Sequence, residues 1–257
     1  MRARLDQHFL VDPGVADRIV RETGAKAGET VVEIGPGRGV LTERLIETGA
    51  RVTAVEIDEN LHAGLAARFA GRENLSLVRA DFLELDLSTL PAPSRIVSNL
   101  PYSMGTMILQ KLLPWTGWTE AVLMFQKEVA DRVQAPPGSR DYGVLSVSVA
   151  VYADAGPLFD VGRFSFRPPP KVQSAVVRLR RLERPRLPED LSEKAFFRVV
   201  KAAFAQRRKM AANSIAASLG LNRESVDRAM EACGLSPTAR GETIGLDGFA
   251  RLALRLR

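Results

Sequence analysis

The segment best suited to chemistry is RIVSNLPYSMGT, residues 95–106. Its apolar run ends in Asn99, Leu100, Pro101 and Tyr102. A turn could use the asparagine and the proline, but it would not need the phenol. If the substrate is an exocyclic amine of a nucleobase, the Asn99 side-chain oxygen and the Leu100 carbonyl can each accept one amine hydrogen. Pro101 fixes the backbone and adds no N–H, and Tyr102 can stack on the base. The alternative interpretation is a capped turn with a packed tyrosine.

A glycine loop forms the second candidate site. In VVEIGPGRGVLTERL, Gly35, Gly37 and Gly39 separate a predicted strand from a predicted helix. Glycines there let the backbone approach a ligand at the carboxyl edge of a parallel sheet. The dinucleotide fingerprint would need its third glycine at Val40, and the loop lacks the Lys-Ser/Thr of a phosphate-binding loop. Taken alone, the pattern also fits an ordinary strand-to-helix turn.

Acidic residues end the next two predicted strands. Glu56, followed by Ile57, can accept hydrogen bonds from both hydroxyls of a ribose. Asp81, followed by Phe82, suits an adenine, whose amine donates and whose ring stacks. Each acid alone would more often be a helix cap or a solvated charge. Together with the glycine loop, the acids predict a nucleoside-containing cofactor.

The charge of the glycine loop narrows the choice of cofactor. Glu33 adds a negative charge just before the loop, so a cofactor with a positive centre and no phosphate fits best. S-adenosyl-L-methionine is such a molecule. Methyl transfer to the amine would then need no acid, base or covalent intermediate, because positioning supplies much of the acceleration.

Strand and helix patterns alternate along the first part of the chain. Strands are predicted at 30–35, 51–58, 75–81, 95–99 and 120–126, with helices at 39–49 and 60–70. This alternation predicts an α/β fold with a doubly wound, mainly parallel, Rossmann-like methyltransferase sheet. A final strand is predicted at 174–182, while 141–154 fits either a strand or a helix. Residues 184–188 resemble a linker, so we predict a cofactor-binding catalytic domain at 1–183 and a smaller all-helical domain at 184–257.

Composition limits the class of protein. The 257 residues carry one cysteine and two histidines, which excludes an intramolecular disulfide and disfavours a zinc site, so no metal is expected. No apolar run approaches the ~20 residues of a membrane span, and the first residues lack a secretory signal. We therefore expect a cytoplasmic protein. Residues 178–257 hold 17 Lys and Arg against 9 Asp and Glu, which suggests a polyanionic partner.

Several motifs resemble those of one family. NLPYS (99–103) is similar to the amino-methyltransferase motif of adenine N6-methyltransferases. DQHFLVDP (6–13), VVEIGPGRGVLT, VEID, ADFL, FQKEVADRV (125–133) and FRPPPKVQSAVVRL (166–179) resemble, in order, the motifs of rRNA adenine dimethyltransferases. AFAQRRKMAANSI (203–215) resembles the bacterial small-subunit members, the KsgA/RsmA family.

The resemblance implies N6,N6-dimethylation of two adjacent adenosines near the 3′ end of 16S rRNA, in the 30S subunit or its precursor. It implies that Tyr102 and Phe166 flank the target adenine, although a lone aromatic like Phe166 would more often be a core residue. It also implies that 141–154 is a helix. The family usually has Asn where this chain has His8. The predicted cofactor contacts are His8, Leu10, Gly35, Gly37, Glu56, Ile57, Asp81, Phe82 and Asn99.

The tail is expected to bind RNA. Five apolar residues would share one face of a helix: Phe197, Val200, Phe204, Ala211 and Ile215. Arg207, Arg208 and Lys209 are then predicted phosphate contacts, with side chains lying over a core edge as the alternative. No heptad pattern is evident, which favours a monomer.

Other functions compete with this hypothesis. A ribosome-assembly factor whose methylation is incidental belongs to a different class. A large-subunit rRNA or DNA adenine methylase would share the site chemistry. A nicotinamide dehydrogenase is disfavoured by Val40 and by the NLPY sequence.

Overall fold

The computed structural model describes residues 8–206 and 208–256. The predicted phosphate contact Arg207, and the first two residues of the DQHFLVDP motif, lie outside the described residues. The described chain forms two compact units. The first comprises 8–130 and Asp154–Arg181, and the second comprises Asp131–Ala153 and 182–256.

The first unit is an α/β unit, as predicted. Its elements are β1 (Phe9–Leu10), α1 (Pro13–Thr23), β2 (Thr30–Ile34), α2 (Val40–Glu47), β3 (Arg51–Glu56), α3 (Glu59–Arg68), β4 (Leu75–Arg79), β5 (Ser94–Asn99), α4 (Gly105–Leu112), β6 (Trp118–Gln126), α5 (Lys127–Gln134), β7 (Ala153–Val161), β8 (Phe166–Arg167) and β9 (Ser174–Arg181). Helix α5 continues into the second unit, and β7 begins there. The second unit otherwise holds helices: α6 (Val144–Tyr152), α7 (Glu193–Phe204), α8 (Ala211–Leu219), α9 (Arg223–Ala232) and α10 (Leu246–Arg255).

A seven-stranded sheet forms the centre of the first unit, in the order β4-β3-β2-β5-β6-β9-β7. The strands from β2 to β6 pair in parallel, and β9 runs antiparallel to β6. Strand β2 is almost continuously apolar and buried, as a parallel strand covered on both faces must be. The carboxyl ends of β2, β3, β4 and β5 therefore meet at one edge of the sheet.

A separate two-stranded ladder joins two distant segments. Strand β1 pairs antiparallel with β8, Phe9 opposite Arg167 and Leu10 opposite Phe166. Neither strand was predicted, because two residues are too few to show the alternation of apolar and polar side chains that indicates a strand. The ladder fixes residues 8–10 against the proline-rich segment that follows Phe166.

The segment 131–153 belongs to the second unit, so the predicted domain boundaries need correction. Helix α6, which confirms the helix implied at 141–154, is apolar almost all round. It must therefore be covered on several sides, and it contacts α7 and α10. The Tyr142 ring also packs edge-on against Phe204, 6.1 Å between centroids. The later crossing of the chain between units, at 181/182, lies close to the predicted boundary at 183/184.

The single helical stripe predicted across 197–215 was wrong. Helix α7 ends at Phe204 and α8 begins at Ala211, which leaves Arg208 and Lys209 exposed on the loop between them. Buried Ser214 stabilises the break: its hydroxyl donates to the Ala202 carbonyl (2.6 Å) and accepts from the Gln206 N–H (3.1 Å). Across the described residues, no helix combines the length and apolarity needed to cross a bilayer.

We expect Gly39→Ala to destabilise the first unit by roughly 2–4 kcal/mol, since left-handed strain adds to overpacking. Gly39 has φ +81°, and a methyl group there would lie 2.8 Å from both Leu65 and Phe69, which are buried. Gly71→Ala is the matched control, because Gly71 has φ +79° with nothing within 4 Å. Urea unfolding of both variants measures the difference. If Gly39→Ala and Gly71→Ala lowered the free energy of unfolding equally, the close packing of Leu65 and Phe69 against Gly39 would not contribute.

Candidate functional site

A cleft opens at the carboxyl edge of the sheet, as predicted. It encloses about 1090 Å³ of empty space, including solvent at its open mouth. The structure brings around this one cleft all of the predicted cofactor and catalytic residues: His8, Leu10, Gly35, Gly37, Glu56, Ile57, Asp81, Phe82, Asn99, Leu100, Pro101 and Tyr102. The cleft is therefore the candidate active site.

The three loop glycines have different local environments. All three have positive φ, which favours glycine. A methyl group at Gly35 would meet nothing within 4 Å, whereas one at Gly37 would lie 3.3 Å from the Phe9 ring. Gly39 packs against α3, as described above. Gly35 thus leaves open space in the cleft where a ligand can approach the backbone.

Glu56 is 4% exposed and holds two loops in place. One carboxylate oxygen accepts from the Gly37 N–H (3.0 Å), and the other accepts from the Asp58 N–H (2.9 Å). A carboxylate oxygen can accept more than one hydrogen bond. Glu56 can therefore fix the glycine loop and still accept from the hydroxyls of a ribose.

Glu33 is fully buried beneath the glycine loop and lines the cleft. Three effects together bring the pKa of Glu33 to about 7: burial raises it most, a hydrogen bond from Thr42 lowers it, and the nearby Glu56 carboxylate raises it. That bond, from the Thr42 hydroxyl, is 2.6 Å long. Two neighbouring carboxyl groups make the floor of the cleft favourable for a cation. The charge of Glu33 can be read from the sequence, whereas its burial is seen only in the structure.

The turn after β4 presents Asp81 and Phe82 to the cleft. One Asp81 carboxylate oxygen accepts from the Leu83 N–H (2.9 Å), and Phe82 is 5% exposed. The Lys111 ammonium donates to the carbonyls of Leu83 (2.5 Å) and Leu85 (2.6 Å). Lys111 thus positions this turn from α4. Sequence reasoning missed it, because nothing in a helical lysine indicates partners 26 and 28 residues earlier.

The Asn99 amide has a fixed orientation. Its nitrogen donates to the His8 carbonyl (3.3 Å). Because a carbonyl can only accept, the NH₂ end must face His8, and the oxygen remains the end that can accept from an amine. Leu100 donates its N–H to the Met124 carbonyl (3.2 Å), which fixes the next peptide of the turn.

Tyr102 is half-buried, and both its hydroxyl and its ring contact other residues. Its hydroxyl shares a 2.6 Å hydrogen bond with Ser174, and its ring lies 5.3 Å from the His8 ring at 35°. Burial raises the pKa of Tyr102, so the phenol stays protonated at neutral pH. His8 in turn places Nδ1 2.7 Å from the Pro168 carbonyl, so this nitrogen must be the donor.

One predicted substrate contact does not line the cleft. Phe166 is fully buried in the hydrophobic core, opposite Leu10 in the β1–β8 ladder. The expectation that it flanks the target base is corrected, because strand alternation turns Phe166 inward and leaves Arg167 exposed. Arg208 and Lys209 belong to the second unit, and their contacts to RNA phosphates stay a prediction.

Comparisons with known proteins agree with the motifs. A family model described as ribosomal RNA adenine dimethylase matches residues 1–236. The ribosomal RNA small subunit methyltransferase A of Phenylobacterium zucineum (strain HLK1) is 46% identical over 252 residues, covering 96% of this chain and 85% of the relative. These two matches establish the family.

Solved structures show the same fold. A dimethyladenosine transferase from Plasmodium falciparum matches with a TM-score of 0.81 and 24% identity, covering 95% of this chain and 96% of that one. The 23S rRNA methyltransferase ErmE matches with a TM-score of 0.71 and 28% identity, covering 96% and 99%. The predicted Rossmann-like methyltransferase fold with a helical C-terminal region is thus confirmed.

Glu33→Gln should make stability less sensitive to pH. With a pKa of about 7 in the folded protein against 4.5 ordinarily, wild-type Glu33 favours folding fully below pH 4.5 and loses this contribution as pH rises to 7. The neutral amide resembles the protonated acid. We therefore expect the variant and the wild type to have similar free energies of unfolding at pH 4.5. At pH 8 we expect the free energy of unfolding of the variant to be higher by roughly 2–3 kcal/mol.

Unfolding curves from pH 4.5 to 8, without added ligand, measure this effect. Glu47→Gln is the control, since it removes the same charge at an exposed position of α2. If the free energies of unfolding of Glu33→Gln and the wild type differed by the same amount at every pH in this range, the raised pKa of Glu33 would not be the cause.

Proposed function

The chain belongs to the ribosomal RNA adenine dimethylase family, and from this premise we propose its specific reaction. The protein transfers methyl groups from S-adenosyl-L-methionine to N6 of two adjacent adenosines near the 3′ end of 16S rRNA. The product is N6,N6-dimethyladenosine, formed in the 30S subunit or its precursor during subunit biogenesis. The observation that carries the proposal is the fixed Asn99 amide, whose oxygen can accept from an amine in a cleft suited to a nucleoside cofactor.

The cleft residues fit S-adenosyl-L-methionine. Glu56 would accept from the ribose hydroxyls, while Asp81 and Phe82 would hold the adenine. The carboxyl of Glu33 would be drawn toward its ionised form by a nearby cation, which suits a cofactor with a positive centre. When bound, this cofactor supplies a methyl group on a sulfonium, ready for transfer to a nucleophile.

The chain's own residues would prepare that nucleophile. The adenine N6 lone pair is delocalised into the ring, and acceptance of its two hydrogens by the Asn99 oxygen and the Leu100 carbonyl favours a tetrahedral nitrogen. Tyr102, anchored by Ser174, would pack against the extruded base. Catalysis would rest on position and local electrostatics, and no dedicated acid or base is needed because the nitrogen would release one proton to water for each methyl group that it gains.

The choice of 16S rRNA rests on the relatives. The bacterial protein at 46% identity is named for the small subunit, whereas the 23S enzyme ErmE is 28% identical. We propose that exposed Arg208 and Lys209 contact phosphates of the folded RNA. We also propose that the protein works as a monomer in the cytoplasm, where ribosomal subunits assemble.

Labelled S-adenosyl-L-methionine with unmethylated 30S particles, 50S particles and duplex DNA tests the substrate, followed by nucleoside analysis. Dimethyladenosine in the 30S sample alone is expected. Label only in 50S or DNA would overturn the choice of 16S rRNA. Cofactor binding with no label anywhere would favour an assembly factor, and tight NADH binding would favour a dehydrogenase.

Asn99→Ala should lower kcat about 100- to 1000-fold, a loss like that for a key transition-state hydrogen bond. Asn99→Asp should also fail, because a carboxylate cannot donate to the His8 carbonyl and would lose its fixed orientation. Single-turnover methylation of 30S particles measures both, and circular dichroism checks the fold. Near wild-type turnover of Asn99→Ala would refute the proposed role of the amide.

Removing Arg208 and Lys209 together, by Arg208→Ala/Lys209→Ala, should weaken particle binding and reduce its salt dependence. Each lost phosphate contact should reduce the slope of log affinity against log salt by about 0.7 to 0.9. Arg72→Ala is the matched control, since Arg72 is exposed near the amino end of β4, at the opposite edge of the sheet from the cleft. An unchanged slope for the double variant would exclude phosphate contacts by this loop.

A further inference from the structure

We propose that Arg163 and Phe164 form a stacking platform for an unpaired base next to the target adenosine. This inference rests on the proposed function and assigns part of the RNA-binding surface to the catalytic unit. Phe164 is 71% exposed, and the Arg163 guanidinium lies 4.8 Å from the centre of its ring. The guanidinium covers one face, and the high exposure leaves the other face available to a base.

The backbone beneath this pair is firmly anchored. The Ser165 carbonyl accepts from the N–H groups of Val11 (2.8 Å) and Asp12 (3.3 Å). The Ser165 hydroxyl donates to the Asp12 carboxylate (2.9 Å), which also caps the start of α1. The exposed ring therefore projects from a turn that is held at several points, so its position is defined before any partner binds.

The same anchoring places the pair beside the cleft. Residues 8–10 line the cleft, and Val11, the next residue, is bonded to Ser165. Pro168, four residues after Phe164, accepts from the ring of His8, which contacts Tyr102. A polynucleotide entering the cleft at Tyr102 would thus pass near Phe164.

The charge of the surrounding segment selects a nucleic acid as the partner. Residues 161–173, VGRFSFRPPPKVQ, contain three cations and no acid. Arg163, Arg167 and Lys171 are all exposed there. Exposed cations combined with an aromatic face are suited to a phosphate backbone with a stacked base. A protein partner would not require so uniform a charge.

Phe164 also differs from Phe166, the aromatic that the motif resemblance placed at the base. The two residues lie two positions apart, and one is fully buried while the other is exposed. The exposed ring can therefore take a base without disturbing the core, whereas Phe166 would have to leave it.

Phe164→Ala tests the platform through steady-state methylation of unmethylated 30S particles by the full chain. KM for the particles should rise about 5- to 100-fold, the range expected for losing one stacked base. We expect kcat and the affinity for S-adenosyl-L-methionine, measured by calorimetry, to stay within about two-fold. Phe164→Trp should keep a low KM, while Phe164→Leu should resemble Phe164→Ala, because leucine is apolar but has no ring face.

Arg163→Ala should raise KM and reduce its salt dependence, with Arg72→Ala as the charge control. An unchanged KM for Phe164→Ala, or a wild-type KM for Phe164→Leu, would overturn the stacking platform. Neither result would affect the proposed function as long as the wild type methylates 30S particles. Absence of 30S methylation by the wild type would instead overturn the proposed function itself.

Discussion

The site depends on a row of hydrogen bonds that ties together the carboxyl ends of four parallel strands. The buried Ser98 hydroxyl donates to the carbonyl of Ile34 (2.5 Å), joining the ends of β5 and β2. The row continues when Gly35 donates to Val55 (2.9 Å) and Ala80 donates to Glu56 (3.1 Å). Each bond contributes only about 1 kcal/mol, but together they place the glycine loop, Glu56, Asp81 and Asn99 at one edge. Four segments distant in sequence thereby become one cleft.

This arrangement has an electrostatic cost. Burying Glu33 beside Glu56 raises its pKa to about 7, so the ligand-free protein carries an unfavourable carboxyl group at neutral pH. An uncharged residue at position 33 would not carry this cost. A cationic ligand would offset the cost, so instability of the empty cleft and affinity for such a ligand have the same physical origin.

The sequence was most informative where a residue's role follows from its place at a strand end. Gly35, Glu56, Asp81 and Asn99 each lie within two residues of the end of a predicted strand, and parallel pairing brings these ends to one edge of the sheet. Lys111 could not be foreseen, since its partners are set by the packing of α4. The break between α7 and α8 is stabilised by Ser214, a polar residue among the otherwise apolar buried residues of α8. The prediction that Phe166 faces the target base was wrong because a two-residue strand is too short to show alternation of apolar and polar residues. The sequence therefore does not indicate which residue of that strand points into the core.

The short segment from His8 to Asp12 connects the two parts of the site. Its His8 carbonyl orients Asn99, its His8 ring contacts Tyr102 and Pro168, and its Val11 N–H holds the turn that carries Phe164. The contact to Asn99 comes from the main chain, so it does not depend on the side chain at position 8. Any residue at position 8 could therefore supply this carbonyl without disturbing the amide. The His8 side chain adds a ring against Tyr102 and an Nδ1 donor to the Pro168 carbonyl, and these contacts join the Asn99–Tyr102 turn to the proline-rich segment beside the turn that carries Phe164. The side chain at position 8 therefore leaves the orientation of the Asn99 amide unchanged and affects only how firmly Tyr102 and the proline-rich segment are held beside it.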